Sequence, residues 1–244
     1  MTQMLVDIGN TRIKWGIAKA NKIVCGQSLV CRHLDRKELL TAWKNIPLPS
    51  DMVVSCVSSF ETLEMVRSVA KMLWPDIEII SAQTQSYAFG VHNGYKDAEK
   101  LGVDRWLALI AVRQHYQGNA CIVDCGTAIT IDLMDATGCH LGGLITPGLM
   151  LMKSALATGT EALMFDEKKN PIGLADTTHA AIYTGTLWSV IGLIEHILNN
   201  QPEFTSLILT GGDAELIAEQ LKCQVIVDSN LVLRGLAIIL ANDR

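Results

Sequence analysis

Three aspartates in this chain occupy positions where a carboxylate could act on a phosphate or an alcohol. Asp7 and Asp124 each end an apolar, strand-like run and are followed two positions later by glycine, and Asp104 opens an apolar, helix-like segment. A glycine turn lets the backbone approach a ligand closely, and its N–H groups can bind phosphate oxygens. An aspartate beside such a turn suits Mg²⁺, which takes one or two carboxylates together with phosphate oxygens. These positions predict phosphate chemistry.

The first glycine turn carries more polar groups than a hairpin requires. Residues 7–14 read DIGNTRIK. A plain hairpin accounts for the glycine and the asparagine, but not for the aspartate, the threonine or the two cations. The cations Arg12 and Lys14 could neutralise phosphate charge; the alternative is that they form a solvated strand face. A third glycine turn, TGGD at residues 210–213, could admit a nucleoside or could be only a strand exit and a helix cap.

A phosphate acceptor would need a base and binding groups of its own. An aspartate within hydrogen-bond reach of an alcohol can accept its proton during phosphoryl transfer. Gly102 leaves room beside Asp104, and Arg105 could pair with an anionic substrate; the alternative is that Asp104 only caps the helix or opposes its dipole. Tyr95 lies in a polar loop where a core role is not expected, and Thr178 opens a long helix that it could instead simply cap.

The elements that must position these residues repeat along the chain. Three strand-like runs are followed by alternating helices and strands, first up to residue 116 and again from residue 119. VDIG at residues 6–9 matches VDCG at residues 123–126, an offset of 117 residues, at the same place in both orders. The repeat predicts an α/β fold made of a duplicated unit, with one domain over residues 1–117 and a second over residues 118–244.

Composition narrows the class of protein. The chain has 244 residues, 49% of them hydrophobic, and a net charge of −5, which argues against nonspecific nucleic-acid binding because that requires a basic face. No apolar run is expected to span a membrane, and no membrane partner is predicted. The seven cysteines include no Cys-x-x-Cys pair, so they predict small buried side chains in a reducing cytoplasm and no zinc site.

Taken together, the motifs resemble those of type III pantothenate kinases. The resemblance extends in order over almost the whole chain and rests on DIGNT at residues 7–11, Tyr95, GVDR at 102–105, DCGTA at 124–128, GGLITPGL at 142–149 and TGGD at 210–213. It implies two ribonuclease-H-like domains of the actin-like ATPase class, with ATP in the cleft between them. It also implies transfer of the γ-phosphate of ATP to the hydroxyl of pantothenate, the first step towards coenzyme A.

The resemblance further implies a role for each matched residue. Asp104 would be the catalytic proton acceptor, Thr127 an ATP contact, Asp124 the ligand of a monovalent cation, K⁺ or NH₄⁺, and Asp7 a ligand of the Mg²⁺ that accompanies ATP. The phosphate loop would comprise Asp7, Ile8, Gly9, Asn10, Thr11, Arg12, Ile13 and Lys14. The pantothenate site would comprise Tyr95, Gly102, Val103, Asp104, Arg105 and Thr178. Family members are homodimers, so a homodimer is expected.

Two departures from the family pattern and two other functions bear on this interpretation. Thr177 stands where the family usually has asparagine, and no proline follows the TEAL segment at residues 160–163.

The chain could instead be a nonenzymatic, nucleotide-binding accessory factor for transcription on the same fold, although such a binder would have no need of Asp104. It could also be a kinase for another small hydroxylated acid or sugar.

Overall fold

The structure is a computed structural model that describes residues 2–19, 22–25, 28–31, 34–160, 163, 170–202 and 205–242. Its strands are β1 (Thr2–Ile8), β2 (Arg12–Lys19), β3 (Lys22–Cys25), β4 (Leu29–Val30), β5 (Asp51–Cys56), β6 (Glu78–Ser81), β7 (Tyr87–Ala88), β8 (Val91–His92), β9 (Asn119–Cys125), β10 (Ala128–Met134), β11 (His140–Pro147), β12 (Thr205–Thr210) and β13 (Val225–Val227). Its α-helices are α1 (Arg36–Trp43), α2 (Phe60–Leu73), α3 (Val103–His115), α4 (Leu149–Gly159), α5 (Thr178–Asn199), α6 (Ala214–Ala218) and α7 (Leu231–Asn242).

The chain forms two compact units. Unit 1 consists of Met1–Tyr116, Gly138–His140 and Asn230–Arg244, and unit 2 consists of Gln117–Thr137 and Leu141–Ser229. The expected boundary after residue 117 lies next to the end of the first segment of unit 1. The last segment differs from the expected division, because α7 packs against α3 and β1 in unit 1.

Unit 1 is built on a sheet with the order β3-β2-β1-β5-β6, to which β4 adds through β2. β1 pairs antiparallel with β2 and parallel with β5. Both faces of β1 are covered: Met4 and Val6 lie in one apolar cluster with Trp43 of α1, and Leu5 lies in another with Leu107 of α3. Covering on both faces explains why the strand reads as a continuous apolar run up to the aspartate at its end.

Unit 2 repeats this arrangement with the sheet order β11-β10-β9-β12-β13. Again the central strand, β9, pairs antiparallel with the strand that follows it and parallel with β12. Val123 and Cys125 of β9 pack in one cluster with Leu187 and Ile194 of α5. The predicted α/β class and the predicted duplication are confirmed, since the two sheets share one topology.

Several local expectations can be compared with these elements. Between residues 22 and 30 the chain forms the two strands β3 and β4, and residues 26 and 27 are outside the described part of the chain. Residues 161, 162, 164 and 165 of the segment without proline are also outside it. Cys121 and Cys125 are buried as expected, whereas Cys223 is exposed. By length and composition α5 could cross a membrane, contrary to expectation, although half of its most apolar window is buried within the protein.

Candidate active site

Asp7 lies at the end of β1 between two polar neighbours on the adjacent strands. In the strand register it is opposite Lys14 of β2 and Ser55 of β5, and the Ser55 hydroxyl donates a hydrogen bond of 2.7 Å to Asp7 Oδ1. Burial of the Asp7 carboxyl group raises its pKa from 3.8 to about 6; the Ser55 bond and the Lys14 charge oppose this rise, and the negative charge of Asp104 adds to it. The site therefore holds a carboxylate that gains from a nearby positive charge.

The turn after Asp7 is closed by its own backbone. The Gly9 N–H donates to the Arg12 carbonyl at 3.0 Å, and Asn10 and Thr11 are exposed. Arg12 is also exposed and donates to Ser28 Oγ at 3.0 Å, so Lys14 is the cation placed across from Asp7. Ile8 and Ile13, which the resemblance included in the phosphate loop, have fully buried side chains. Only their backbone groups could therefore meet a ligand.

Asp104 lies in the first turn of α3, half-buried. The helix begins after Gly102, so Asp104 is not its cap residue; its Oδ1 atom instead accepts the Arg105 N–H at 2.8 Å. A Cβ atom on Gly102 would come within 2.6 Å of that oxygen, which confirms the expectation that the glycine leaves room for Asp104. The negative charge of Asp104 adds to the rise in the pKa of Asp7, so these two predicted carboxylates interact electrostatically within unit 1.

Tyr95 and Arg105 also meet in unit 1. Arg105 is only 5% exposed; its Nη1 atom donates to the Tyr95 hydroxyl at 2.8 Å, and its guanidinium carbon lies 5.4 Å from the centre of the Tyr95 ring. Because the phenol oxygen accepts this bond, its own hydrogen can be donated to a ligand. Val103 is half-buried in the first turn of the same helix. The pair therefore offers a hydroxyl donor that is held by the residue following Asp104 in the chain.

In unit 2, the glycine turn that follows Asp124 is contacted by two other glycine-containing turns. The Gly126 N–H donates to the Ala128 carbonyl at 3.2 Å, and the Gly148 N–H donates to the carbonyl of Thr127, an exposed residue, at 2.9 Å. Gly211 has a φ of +95°, and a Cβ atom there would lie 2.6 Å from Asp124 Oδ1 and 2.5 Å from the Cys125 carbonyl oxygen. The turn at residues 210–213 thus lies directly against the turn that follows Asp124. The sequence of either turn alone could not show this contact.

Asp213 and Lys153 add a second pair of charges to unit 2. Asp213 is the N-cap residue of α6, as the cap alternative expected, although its side chain makes no capping bond. Burial raises the pKa of its carboxyl group, and the charge of Lys153 opposes that rise. Lys153 of α4 is 7% exposed, with its ammonium 4.6 Å from the centre of the Tyr183 ring.

Thr178 is exposed at the first position of α5. The cap residue is Thr177, whose hydroxyl accepts the Ala180 N–H at 3.4 Å. The alternative that Thr178 caps the helix is therefore wrong, and capping falls to the residue that departs from the family pattern. The Thr178 hydroxyl keeps its candidate role.

The sequence analysis missed Ser55 and Lys153. Ser55 is a polar residue within the apolar strand DMVVSC, and Lys153 is a lone cation in the apolar helix LMLMKSALATG. A polar residue within an otherwise apolar strand or helix is a signal that could have identified Ser55 and Lys153 as candidate site residues. The partner of each residue, however, lies on another element, and periodicity along one element cannot reveal that partner.

The described residues include no group of three or more His, Cys, Asp or Glu side chains that could hold a metal ion. Mg²⁺ bound with a nucleotide does not need such a group, because phosphate oxygens and water complete its shell. The raised pKa of Asp7 beside Asp104 is what a cation would relieve, so these residues fit Mg²⁺. Around Gly211, the Asp124 carboxylate and the Cys125 carbonyl lie in a cradle that a Cβ atom would fill. Such oxygens fit a hard monovalent cation.

Comparison with known proteins places these features in a family. The profile of the family described as type III pantothenate kinase matches residues 3–200. The type III pantothenate kinase of Nitrosococcus oceani is 37% identical, with 96% of this chain and 92% of that protein aligned. The enzyme of that name from Pseudomonas aeruginosa PAO1 is 35% identical over 96% of each chain.

Solved structures agree on the fold. A protein from Campylobacter jejuni described as a Baf family transcriptional activator superposes with a TM-score of 0.64 over 98% of each chain at 21% identity. The ethanolamine utilization protein EutJ of Carboxydothermus hydrogenoformans gives a TM-score of 0.56 at 11% identity, over 98% of this chain and 89% of that one. At these identities the likeness concerns the fold alone. From the family profile and the relatives that align over its length, this chain belongs to the type III pantothenate kinases.

Proposed function

We propose that this protein transfers the γ-phosphate of ATP to the hydroxyl group of pantothenate, giving 4'-phosphopantothenate and ADP in the first step towards coenzyme A. The observation that carries the proposal is the placement of Asp104 in unit 1. Its carboxylate accepts the backbone N–H of Arg105, whose guanidinium donates to Tyr95, and its charge adds to the rise in the pKa of Asp7 at the phosphate turn. A base, an acceptor-binding pair and a phosphate turn in one unit are what phosphoryl transfer to an alcohol requires.

The residues around Asp7 would bind the phosphates. The N–H groups of the exposed turn at Asn10 and Thr11 can donate to phosphate oxygens, and Lys14 neutralises part of their charge. Asp7 would hold the Mg²⁺ that accompanies ATP, with the Ser55 hydroxyl fixing the carboxylate by its bond to Oδ1. When bound, this ion supplies positive charge to the transferred phosphoryl group.

Asp104 would act as the general base. The attacking hydroxyl of pantothenate loses its proton to the carboxylate as its oxygen bonds to the γ-phosphorus and the bond to the leaving ADP oxygen breaks. The Arg105 N–H donates to Oδ1 and would fix the orientation of the carboxylate that takes the proton. Tyr95 can donate its hydroxyl hydrogen to an oxygen of pantothenate. Thr178 would add a further donor to the acceptor from α5.

In unit 2, Thr127 would contact ATP and Asp124 would hold K⁺ or NH₄⁺. Asp124 and the Cys125 carbonyl supply the hard oxygen ligands that such a cation prefers. Gly211 keeps the cradle open, because any side chain there would overlap both groups. Asp213 follows the same glycine turn, and the charge of Lys153 acts on its carboxyl group; the two would adjust the turn for the nucleoside.

We also propose a cytoplasmic homodimer. Unit 2 exposes several large apolar side chains along β11, α4 and α5: Leu141, Leu144, Ile145, Met150, Leu151 and Trp188. A second copy covering them would remove apolar surface from water. The thiols that the structure describes are free, which is usual in a reducing compartment that also supplies ATP.

Two other functions remain as outcomes of one experiment. The purified protein is incubated with ATP, Mg²⁺ and K⁺, and with pantothenate or a panel of small hydroxylated acids and sugars; phosphorylated products are measured by mass spectrometry. We expect phosphopantothenate as the dominant product. A folded sample that phosphorylates another acceptor would support a different kinase. ATP binding without any phosphorylated product would support the accessory factor, and either result would contradict the proposal.

A further inference from the structure

His140 is a buried histidine that none of the sequence motifs includes. It begins β11, is 1% exposed and belongs to the short segment of unit 1 that interrupts unit 2. Its ring lies nearly parallel to that of Tyr95, at an angle of 14° with the ring centres 5.9 Å apart. Its Nδ1 atom accepts the Gly94 N–H at 3.4 Å. His140 therefore contacts both the backbone and the side chain of the loop that carries Tyr95.

The segment that carries His140 is itself fixed in unit 1. Gly138 has a φ of +92°, and a Cβ atom there would overlap the Gly90 carbonyl oxygen. The His92 N–H donates to the Gly138 carbonyl at 2.9 Å, and His92 forms a parallel bridge with Cys139. The imidazole thus extends from a backbone that contacts the β7–β8 hairpin, and its position is set independently of Tyr95.

The Tyr95 loop is held from another direction by Asn93. The Asn93 side-chain amide donates to the carbonyls of Gln85 and Ala98, and its Oδ1 atom accepts the Tyr95 N–H at 3.0 Å. Asn93 thereby fixes the peptides on either side of Gly94. The Gly94 peptide itself is held by His140. Without that bond, a glycine between two anchored residues would be the most mobile point of the loop.

We propose that His140 is a positioning residue for the acceptor substrate, acting through Gly94 and Tyr95 on the Tyr95–Arg105 pair. This inference rests on the proposed function, which assigns that pair to the acceptor site. The imidazole does not touch the substrate. It limits the orientations of the Tyr95 ring and keeps the phenol oxygen where the buried Arg105 donates to it. The Tyr95 O–H is then directed in advance towards an acceptor, which lowers the ordering cost of binding.

The experiment uses the full-length protein and compares wild type with His140→Phe and His140→Asn. Phenylalanine keeps a ring against Tyr95 but removes the acceptor for Gly94, whereas asparagine keeps an acceptor close to the Nδ1 position and removes the ring. His115→Asn, at an exposed position of α3 in the same unit, is the matched control. Steady-state kinetics give KM for pantothenate, KM for ATP and kcat for each variant.

We expect His140→Phe to raise KM for pantothenate by about 3- to 10-fold, the range of one net hydrogen bond. KM for ATP should stay within about twofold of wild type, and the control should match wild type. In a cycle with Tyr95→Phe, the two effects on KM for pantothenate should combine to less than their product, because both act through one contact chain. Equal rises in both KM values, an unchanged KM for pantothenate, or fully multiplicative effects would overturn the proposal.

Hydrogen–deuterium exchange provides a readout that does not depend on turnover. The peptide containing residues 93–95 should exchange about 10-fold faster in His140→Phe than in wild type, and His140→Asn should exchange more slowly than His140→Phe because it keeps an acceptor. Absence of pantothenate turnover in wild type would refute the proposed function but leave this comparison intact. Identical exchange in all variants would refute the role of His140 even in an active kinase.

Discussion

Replacing Asp7 by asparagine should make the nucleotide-free protein more stable while impairing its use of Mg²⁺ and ATP. The pKa of Asp7 rises from 3.8 to about 6, with burial as the main cause. Between these two pH values the folded state holds more protons at Asp7 than the unfolded state does, so stability falls as pH rises through this window. Above pH 6 the ionised carboxylate costs at most about 3 kcal/mol. Asparagine removes that cost and can still accept the Ser55 bond.

The magnitude can be measured by thermal unfolding with EDTA present. At pH 8 we expect Asp7→Asn to unfold roughly 2–10 °C above wild type, since about 1 kcal/mol shifts the midpoint of a protein of this size by about 2–4 °C. At pH 5 the gain should fall to about half, because wild-type Asp7 is then largely protonated in the folded state. Asp76→Asn, which removes an exposed carboxylate from the same unit, is the control and should change little.

With Mg²⁺ and ATP added, wild type should become more stable than Asp7→Asn. Wild type gains stability from every ligand that binds only the folded state, and Asp7→Asn should gain much less because it has lost the carboxylate assigned to Mg²⁺. The same variant should need more Mg²⁺ and more ATP for half-maximal rate, with KM for pantothenate little changed. Two outcomes would show that Asp7 is not a costly buried charge. Asp7→Asn could be no more stable than Asp76→Asn at pH 8, or its increase in unfolding temperature over wild type could be as large at pH 5 as at pH 8.

Three further changes test other parts of the site. Asp104→Asn should lower kcat by about 10²–10⁴-fold, the usual contribution of a general base, with an unchanged circular dichroism spectrum; turnover within a few-fold of wild type would leave Asp104 only a role in the first turn of α3. Gly211→Ala should lower thermal stability and raise KM for ATP, because a side chain at this left-handed φ would overlap Asp124 and strain the turn. Gly212→Ala is the control; a side chain there would meet open space, so this variant should resemble wild type. Phosphorylation by the wild type should be faster in K⁺ than in Na⁺, and Asp124→Asn should abolish this difference. Equal wild-type rates in the two salts would contradict the assignment of a monovalent cation to Asp124.

Much of the fold could be predicted from local patterns. The apolar runs that end in Asp7 and Asp124 identified the central strands, because a strand covered on both faces is apolar throughout. Their position at the same point in two matching orders of strands and helices identified the duplication. The unit to which α7 belongs could not be predicted in this way. It depends on Gly235, which lets the helix lie against the Leu107 carbonyl where a Cβ atom would overlap, and that contact joins segments far apart in sequence.

The candidate site was predictable only where a residue's own neighbours in sequence carry the signal. Gly102 and Asp104 are two residues apart at the start of one helix, so their spacing in the sequence predicted that they would lie close together. The pairing of Ser55 with Asp7 follows instead from the parallel register of β5 on β1. A strand pattern predicts which face a side chain occupies, but not which residue lies opposite it on the next strand.

Buried charge distinguishes several candidate site residues from their neighbours more sharply than the motifs do. Arg105 and Lys153 are almost fully buried, and burial raises the pKa of Asp7. Burying an ionised group is costly unless it is paired, and a hydrophobic residue at any of these places would serve stability better. Arg105 donates to the Tyr95 hydroxyl at 2.8 Å, and the negative charge of Asp104 adds to the rise in the pKa of Asp7. A cation bound with phosphate oxygens would lower the cost of the Asp7 charge, and an acceptor that takes the Tyr95 hydroxyl hydrogen would use the bond that the buried Arg105 already makes.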